Sequence, residues 1–131
     1  MKQLLFFSTL LMLCYCINSF AQVEDEGRLY VIELDTTNKY FVNELRLDVK
    51  PGDSIQFKSI KGDFAVYIIN AISFLSIKEP NLKVRVNALR PESKIYEVKT
   101  ATGKIENIYS VYCISNNSWP DAPPRIIITA E

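Results

Sequence analysis

The chain contains no histidine, and that absence restricts its chemistry more than any residue it carries. Histidine-dependent triads, imidazole acid–base catalysis and zinc sites built from His and Cys all need that side chain. What remains for chemistry is a thiol, a scatter of carboxylates and one tryptophan. Cys113 lies in the apolar run Ile108 to Ile114, where a cysteine reads as a small buried hydrophobe. A reactive thiol needs access and a lowered pKa, and no basic residue stands near it in sequence; an intermolecular disulfide is its other use. Asp35, Asp48, Asp53, Asp63 and Asp121 fall at strand ends and turns, which turn formation explains. A carboxylate-only enzyme would need two of them facing each other in a cleft. No catalytic residue is assigned, and the chain is read as non-enzymatic.

The loop Ser115-Asn116-Asn117-Ser118-Trp119-Pro120-Asp121-Ala122-Pro123-Pro124 holds three prolines around the only tryptophan. One role for it is a stiff connector whose Trp119 caps the end of a core. The other is recognition, because a preorganised loop with an aromatic anchor and flanking polar groups is what binding sites use. On that reading Asn116, Trp119 and Asp121 contact a partner, either a protein or a small ligand.

The elements that must position these residues are strands. Apolar and polar residues alternate through Leu45 to Lys50, Ser54 to Lys58 and Leu82 to Asn87, and more briefly through Ile95 to Val98; period two is the mark of a half-buried strand. Leu29 to Leu34, Phe64 to Ile69, Ile108 to Ile114 and Ile126 to Ile128 are more continuously apolar, as for strands covered on both faces. Ile72 to Ile77 reads as a further strand or a bent continuation of the one before. Phe64, Tyr67, Phe74, Tyr96, Tyr109 and Tyr112 are expected in core and strand-face packing. Pro51-Gly52-Asp53, Lys61-Gly62-Asp63, Glu79-Pro80-Asn81, Arg90-Pro91-Glu92 and Thr102-Gly103-Lys104 supply the turns. About eight short strands at this spacing predict an all-β Greek-key sandwich or barrel.

Met1 to Ala21 has a basic start, an apolar stretch from Leu4 to Ile17, and Ser19 and Ala21 at small-residue positions, the pattern of a cleaved signal peptide of bacterial type. The apolar run is shorter than the roughly 20 residues of a membrane span, so no stable insertion is expected after cleavage, and the product is periplasmic or extracellular. Acidic, aperiodic Gln22 to Gly27 reads as a flexible segment leading into a domain at 28–131. Cleavage leaves 110 of the 131 residues with a net charge of −1, too little basic charge for nucleic acid or an anionic membrane. Cys14 and Cys16 leave with the leader, so Cys113 has no intramolecular disulfide partner.

Two segments together resemble the cupredoxin family. Leu47-Asp48-Val49-Lys50-Pro51-Gly52-Asp53-Ser54-Ile55-Gln56-Phe57-Lys58 is similar to that family's strand, Pro-Gly-Asp turn and strand. Tyr109-Ser110-Val111-Tyr112-Cys113, a polar loop and Pro124 to Thr129 are similar to its final hairpin, where a copper-binding cysteine ends a strand. The resemblance implies a β-sandwich whose copper is held by two imidazoles, the thiolate and commonly a methionine. Carried onto this chain, the cysteine falls at Cys113, the first histidine at Phe64 or Ala65, the second at Asn116 and the methionine near Asp121. Only the first of these is such a ligand, so no type 1 copper site and no cofactor are expected. Cys113 is then at most a vestige, and the alternative function is a Cu(I)-handling protein that uses it.

Overall fold

The computed structural model describes residues 26–99 and 102–130. The expected leader at 1–21 lies outside them, as does 22–25 of the segment expected to be flexible. Among the described residues the strands are β1 (Leu29–Asp35), β2 (Arg46–Val49), β3 (Ser54–Lys61), β4 (Phe64–Ile68), β5 (Leu82–Val86), β6 (Tyr96–Glu97), β7 (Lys104–Ile108), β8 (Ser110–Cys113) and β9 (Arg125–Thr129). They form sheets ordered β1-β3-β6, β2-β9-β7 and β5-β4-β8, packed as an all-β sandwich around one core, the class that the period-two pattern predicts. β1 runs parallel to β3 and β2 parallel to β9; both pairs join strands distant along the chain, since parallel neighbours need a crossover rather than a hairpin. Ile55 and Phe57 on β3, Phe64, Val66 and Ile68 on β4, and Leu82, Val84 and Val86 on β5 face inward in strict alternation.

The Pro51-Gly52 turn forms as its residues dictate. The Asp53 amide donates to the Lys50 carbonyl at 3.0 Å, and Gly52 takes φ 93°, the positive value that the third position of a type II turn demands. The Asp53 carboxylate is buried, accepting the backbone N–H of Arg28 at 2.9 Å and of Lys50 at 2.8 Å. It thereby ties the entry of β1 to the turn between β2 and β3.

Three expectations need correction. The runs Leu29 to Leu34 and Phe64 to Ile69 are covered on one face only. Ile32, Leu34, Phe64, Val66 and Ile68 are buried, while Tyr30, Val31, Ala65 and Tyr67 are half-exposed; apolar outer positions are tolerated without a covering layer. β9 does meet the expectation, with Ile126, Ile127 and Ile128 all buried. Ile127 shares the outer face with its register partners Asp48 and Glu106 and with the ion pairs Arg46–Asp48 and Arg125–Glu106, whose arginine stems shield apolar surface while their heads stay wet.

The run Ile108 to Ile114 is not one strand. β7 ends at Ile108, paired with β9, whereas β8 starts at Ser110, paired with β4. Tyr109 sits at this corner, buried, its amide donating to the Pro124 carbonyl at 3.1 Å, while Ile108 points outward. β7 itself was not expected, because Lys104-Ile105-Glu106-Asn107-Ile108 carries little apolar weight and forms an edge. Finally, Ile72 to Ile77 is no strand. Asn70 takes the left-handed conformation and Ala71–Ser73 form a 3₁₀ turn. The buried residues Ala71, Phe74 and Leu75 are spaced three and four apart, which suits a helical turn and not a pleat.

Candidate functional site

Cys113 closes β8, fully buried, opposite Phe64 of β4 in the ladder. Its backbone exchanges hydrogen bonds with Ser118, at 3.0 and 3.1 Å, and its Sγ lies 3.4 Å from Ser115 Oγ. Residues 114–117 therefore make a tight turn, with Asn117 at φ 49°, a conformation that asparagine tolerates. The Phe64 ring meets Phe41 edge to face, centroids 5.7 Å apart. Phe41 is buried although its φ is 61°, a left-handed backbone that costs a residue with Cβ about 1–2 kcal/mol. It is held there by Asn38, whose carbonyl accepts the Phe41 amide at 2.9 Å and whose side-chain amide donates to the Val42 carbonyl at 2.8 Å.

The Trp119 loop crosses this end of the sandwich. Trp119 does not cap the core: it is 65% exposed, its ring tilted against Tyr112 with centroids 4.8 Å apart. The Tyr112 hydroxyl donates to Asn117 Oδ1, so the same tyrosine supports the tryptophan and braces the turn. Asn116 is exposed at that turn, and Asp121 is exposed further on, its amide donating to the Lys39 carbonyl at 3.2 Å. The structure thus places Asn116, Trp119 and Asp121 on one loop, with Trp119 the only large apolar side chain presented by it. A hollow of about 210 Å³ lies beside Trp119, bounded by Ser110, Val111, Pro120 and Pro123.

Tyr67 and Tyr112, expected in strand packing, share an outer face that the register reveals. On the outer face of the β5-β4-β8 sheet, Tyr67 stands level with Lys83 on one side and Ser110 on the other, and Ala65 level with Arg85 and Tyr112. Lys83 Nζ lies 5.7 Å from the Tyr67 ring centroid and makes no ion pair among the described residues. Arg85 is held by Asp63 at 2.9 Å, and that hydrogen-bonded carboxylate raises the guanidinium pKa. No spacing along the chain signals this face, since it needs the pairing of three strands.

Four of the five aspartates singled out in the sequence have structural partners. Asp35 accepts the Thr37 amide at 2.9 Å and hydroxyl at 2.8 Å, and these bonds hold its pKa below the ordinary value, the backbone one foremost. Asp48 and Asp63 pair with arginines, and Asp53 accepts two backbone amides. The positions to which the resemblance carries the copper ligands hold the following groups. Phe64 is a buried ring, Ala65 carries no donor, Asn116 is an exposed amide, and only Cys113 offers a soft ligand. Among the described residues no three of His, Cys, Asp and Glu gather where a metal ion would sit, and no helix is long and apolar enough to cross a membrane.

No protein-family model and no curated protein matches the chain. Among solved structures, the chain is similar to the reduced Cu(I) form at pH 4 of a mutant of amicyanin, at 16% identity and a TM-score of 0.48, over 82% of this chain and 87% of that one. It is similar to the same extent to a second amicyanin mutant in its reduced state, and to a third in the Cu(I) form at a TM-score of 0.47.

Proposed function

We propose that the chain is an exported cupredoxin-like domain without a type 1 copper site, which works by binding a partner through its Ser115 to Pro124 loop and not by catalysis or electron transfer. The observation that carries this reading is the exposure of Trp119. A tryptophan held against Tyr112 on a proline-stiffened loop, 65% open to solvent, loses little conformational freedom on binding and has a large apolar area to bury.

The test is capture of partners on immobilised protein from the envelope and culture fractions of the producing cells. A partner is expected to be retained by the native protein and by Cys113→Ser, and lost with Trp119→Ala. Retention unaffected by Trp119→Ala would overturn the reading. In parallel, Cu(I), Cu(II) and Zn(II) are expected to leave the melting temperature and visible spectrum unchanged. A metal-dependent rise that vanishes in Cys113→Ser would instead make the chain a metal handler built without histidine, because a ligand that binds only the folded state stabilises it.

A further inference from the structure

The row Lys83–Tyr67–Ser110 crosses the outer face of the β5-β4-β8 sheet at right angles to the strands, and a hollow lies at each end of it. The first, of about 420 Å³, is bounded by Tyr67, Lys83 and the Ile77 to Asn81 segment; the second, beside Ser110, is the one under Trp119. We infer that this row is a binding track for a linear acidic polysaccharide, with sugar rings on Tyr67 and Trp119 and a uronate carboxylate at Lys83. The inference rests on the binding role proposed for the Trp119 loop and names its ligand.

The chemistry of the face selects that class. A pyranose ring presents an apolar C–H surface on one side and hydroxyls around its rim. Its C–H surface packs on an aromatic face, which carries the negative part of the ring quadrupole, and its rim bonds to groups such as the Ser110 hydroxyl. Lys83, its ammonium over the Tyr67 ring, has no carboxylate partner among the described residues, and with Lys78 and Glu79 also lining the hollow it leaves one negative charge on a ligand to be matched there. With Lys83 as one cation and Arg85 on the same face paired with Asp63, the ring contacts carry the affinity and Lys83 only selects an acidic chain, whereas nucleic acid binding depends on many phosphate contacts. An extended peptide would look for a strand edge, where its backbone amides pair. This row offers side chains across a face.

Affinity electrophoresis of the full protein through gels containing polygalacturonate or alginate, against gels containing dextran, tests the inference. Retardation is expected in the acidic gels and not in dextran. Tyr67→Ala is expected to weaken it about thirty-fold, the loss of one aromatic anchor, and Lys83→Gln to abolish the preference for the acidic polymers and the dependence on salt. Both positions are on the outer face, and circular dichroism melts check that each variant stays folded. Absence of retardation in both acidic gels overturns the inference, as does retardation that Tyr67→Ala leaves unchanged. If a protein partner is captured through Trp119 and capture survives Tyr67→Ala, the track fails while the binding role of the loop stands; retardation that Trp119→Ala leaves unchanged also overturns the track, which seats a sugar ring on that side chain.

Discussion

A Phe64→Ala protein is expected to lose about 3–5 kcal/mol of stability, the cost of truncating a fully buried aromatic ring. Phe64 has no exposed surface and lies between Val86 of β5 and Cys113 of β8 in the ladder. Its edge-to-face contact with Phe41 at 5.7 Å adds about 0.5–1.5 kcal/mol beyond burial in typical cases. The loss reaches further than the cavity, because the packing of the Phe41 ring helps the Asn38 hydrogen bonds to hold its left-handed backbone. Small domains have about 5–15 kcal/mol in all, so the variant should sit near the edge of unfolding at room temperature. Urea denaturation followed by circular dichroism measures this, and Phe64→Leu, which keeps most of the volume, should cost under about 2 kcal/mol. An alanine variant that loses less than about 1 kcal/mol would show that the ring does not hold this part of the core together.

Asp53→Ala should be nearly as damaging, at about 2–4 kcal/mol, through hydrogen bonding instead of packing. The carboxylate accepts two backbone amides, those of Arg28 and Lys50. Hydrogen bonds to a charged group contribute about 1.5–3 kcal/mol each, and an amide left buried without a partner carries its desolvation penalty. Asp53→Asn keeps one accepting oxygen and is expected to lose about half as much. Thermal melts of the three proteins separate these outcomes, since about 1 kcal/mol moves the midpoint of a domain this size by several degrees. Equal midpoints for the native and alanine proteins would mean that the β1 entry is not tied to the turn by this side chain.

What could be read in the sequence was whatever two-residue periodicity carries. Leu82 to Val86 and Ser54 to Lys58 alternate cleanly and became β5 and most of β3, and the glycine of Pro51-Gly52-Asp53 sits where its turn needs positive φ. β7 escaped notice because an edge strand facing water need not be apolar, and the corner at Tyr109 because the sequence runs on apolar from one sheet into the next. The Trp119 loop stood out by composition, although composition did not decide between a tryptophan that caps the core and one that is exposed. Tyr67 and Tyr112 were assigned to packing for a physical reason: each is one apolar residue in an apolar strand, and only pairing across β5, β4 and β8 brings them to one surface with Lys83.

The place of β9 bears on how the molecule comes into being. It follows every other described strand in the chain, yet it is the middle strand of its sheet, with β2 parallel on one side and β7 antiparallel on the other. A chain emerging N-terminus first from a ribosome holds β2 and β7 without the strand between them until residues 125–129 appear. Folding is therefore deferred to the end of emergence, since the pairing that completes the sheet spans nearly eighty residues and its loop-closure entropy must be met before those contacts stabilise anything. A copy cut short before Arg125 would lack the centre of a sheet, not its fringe.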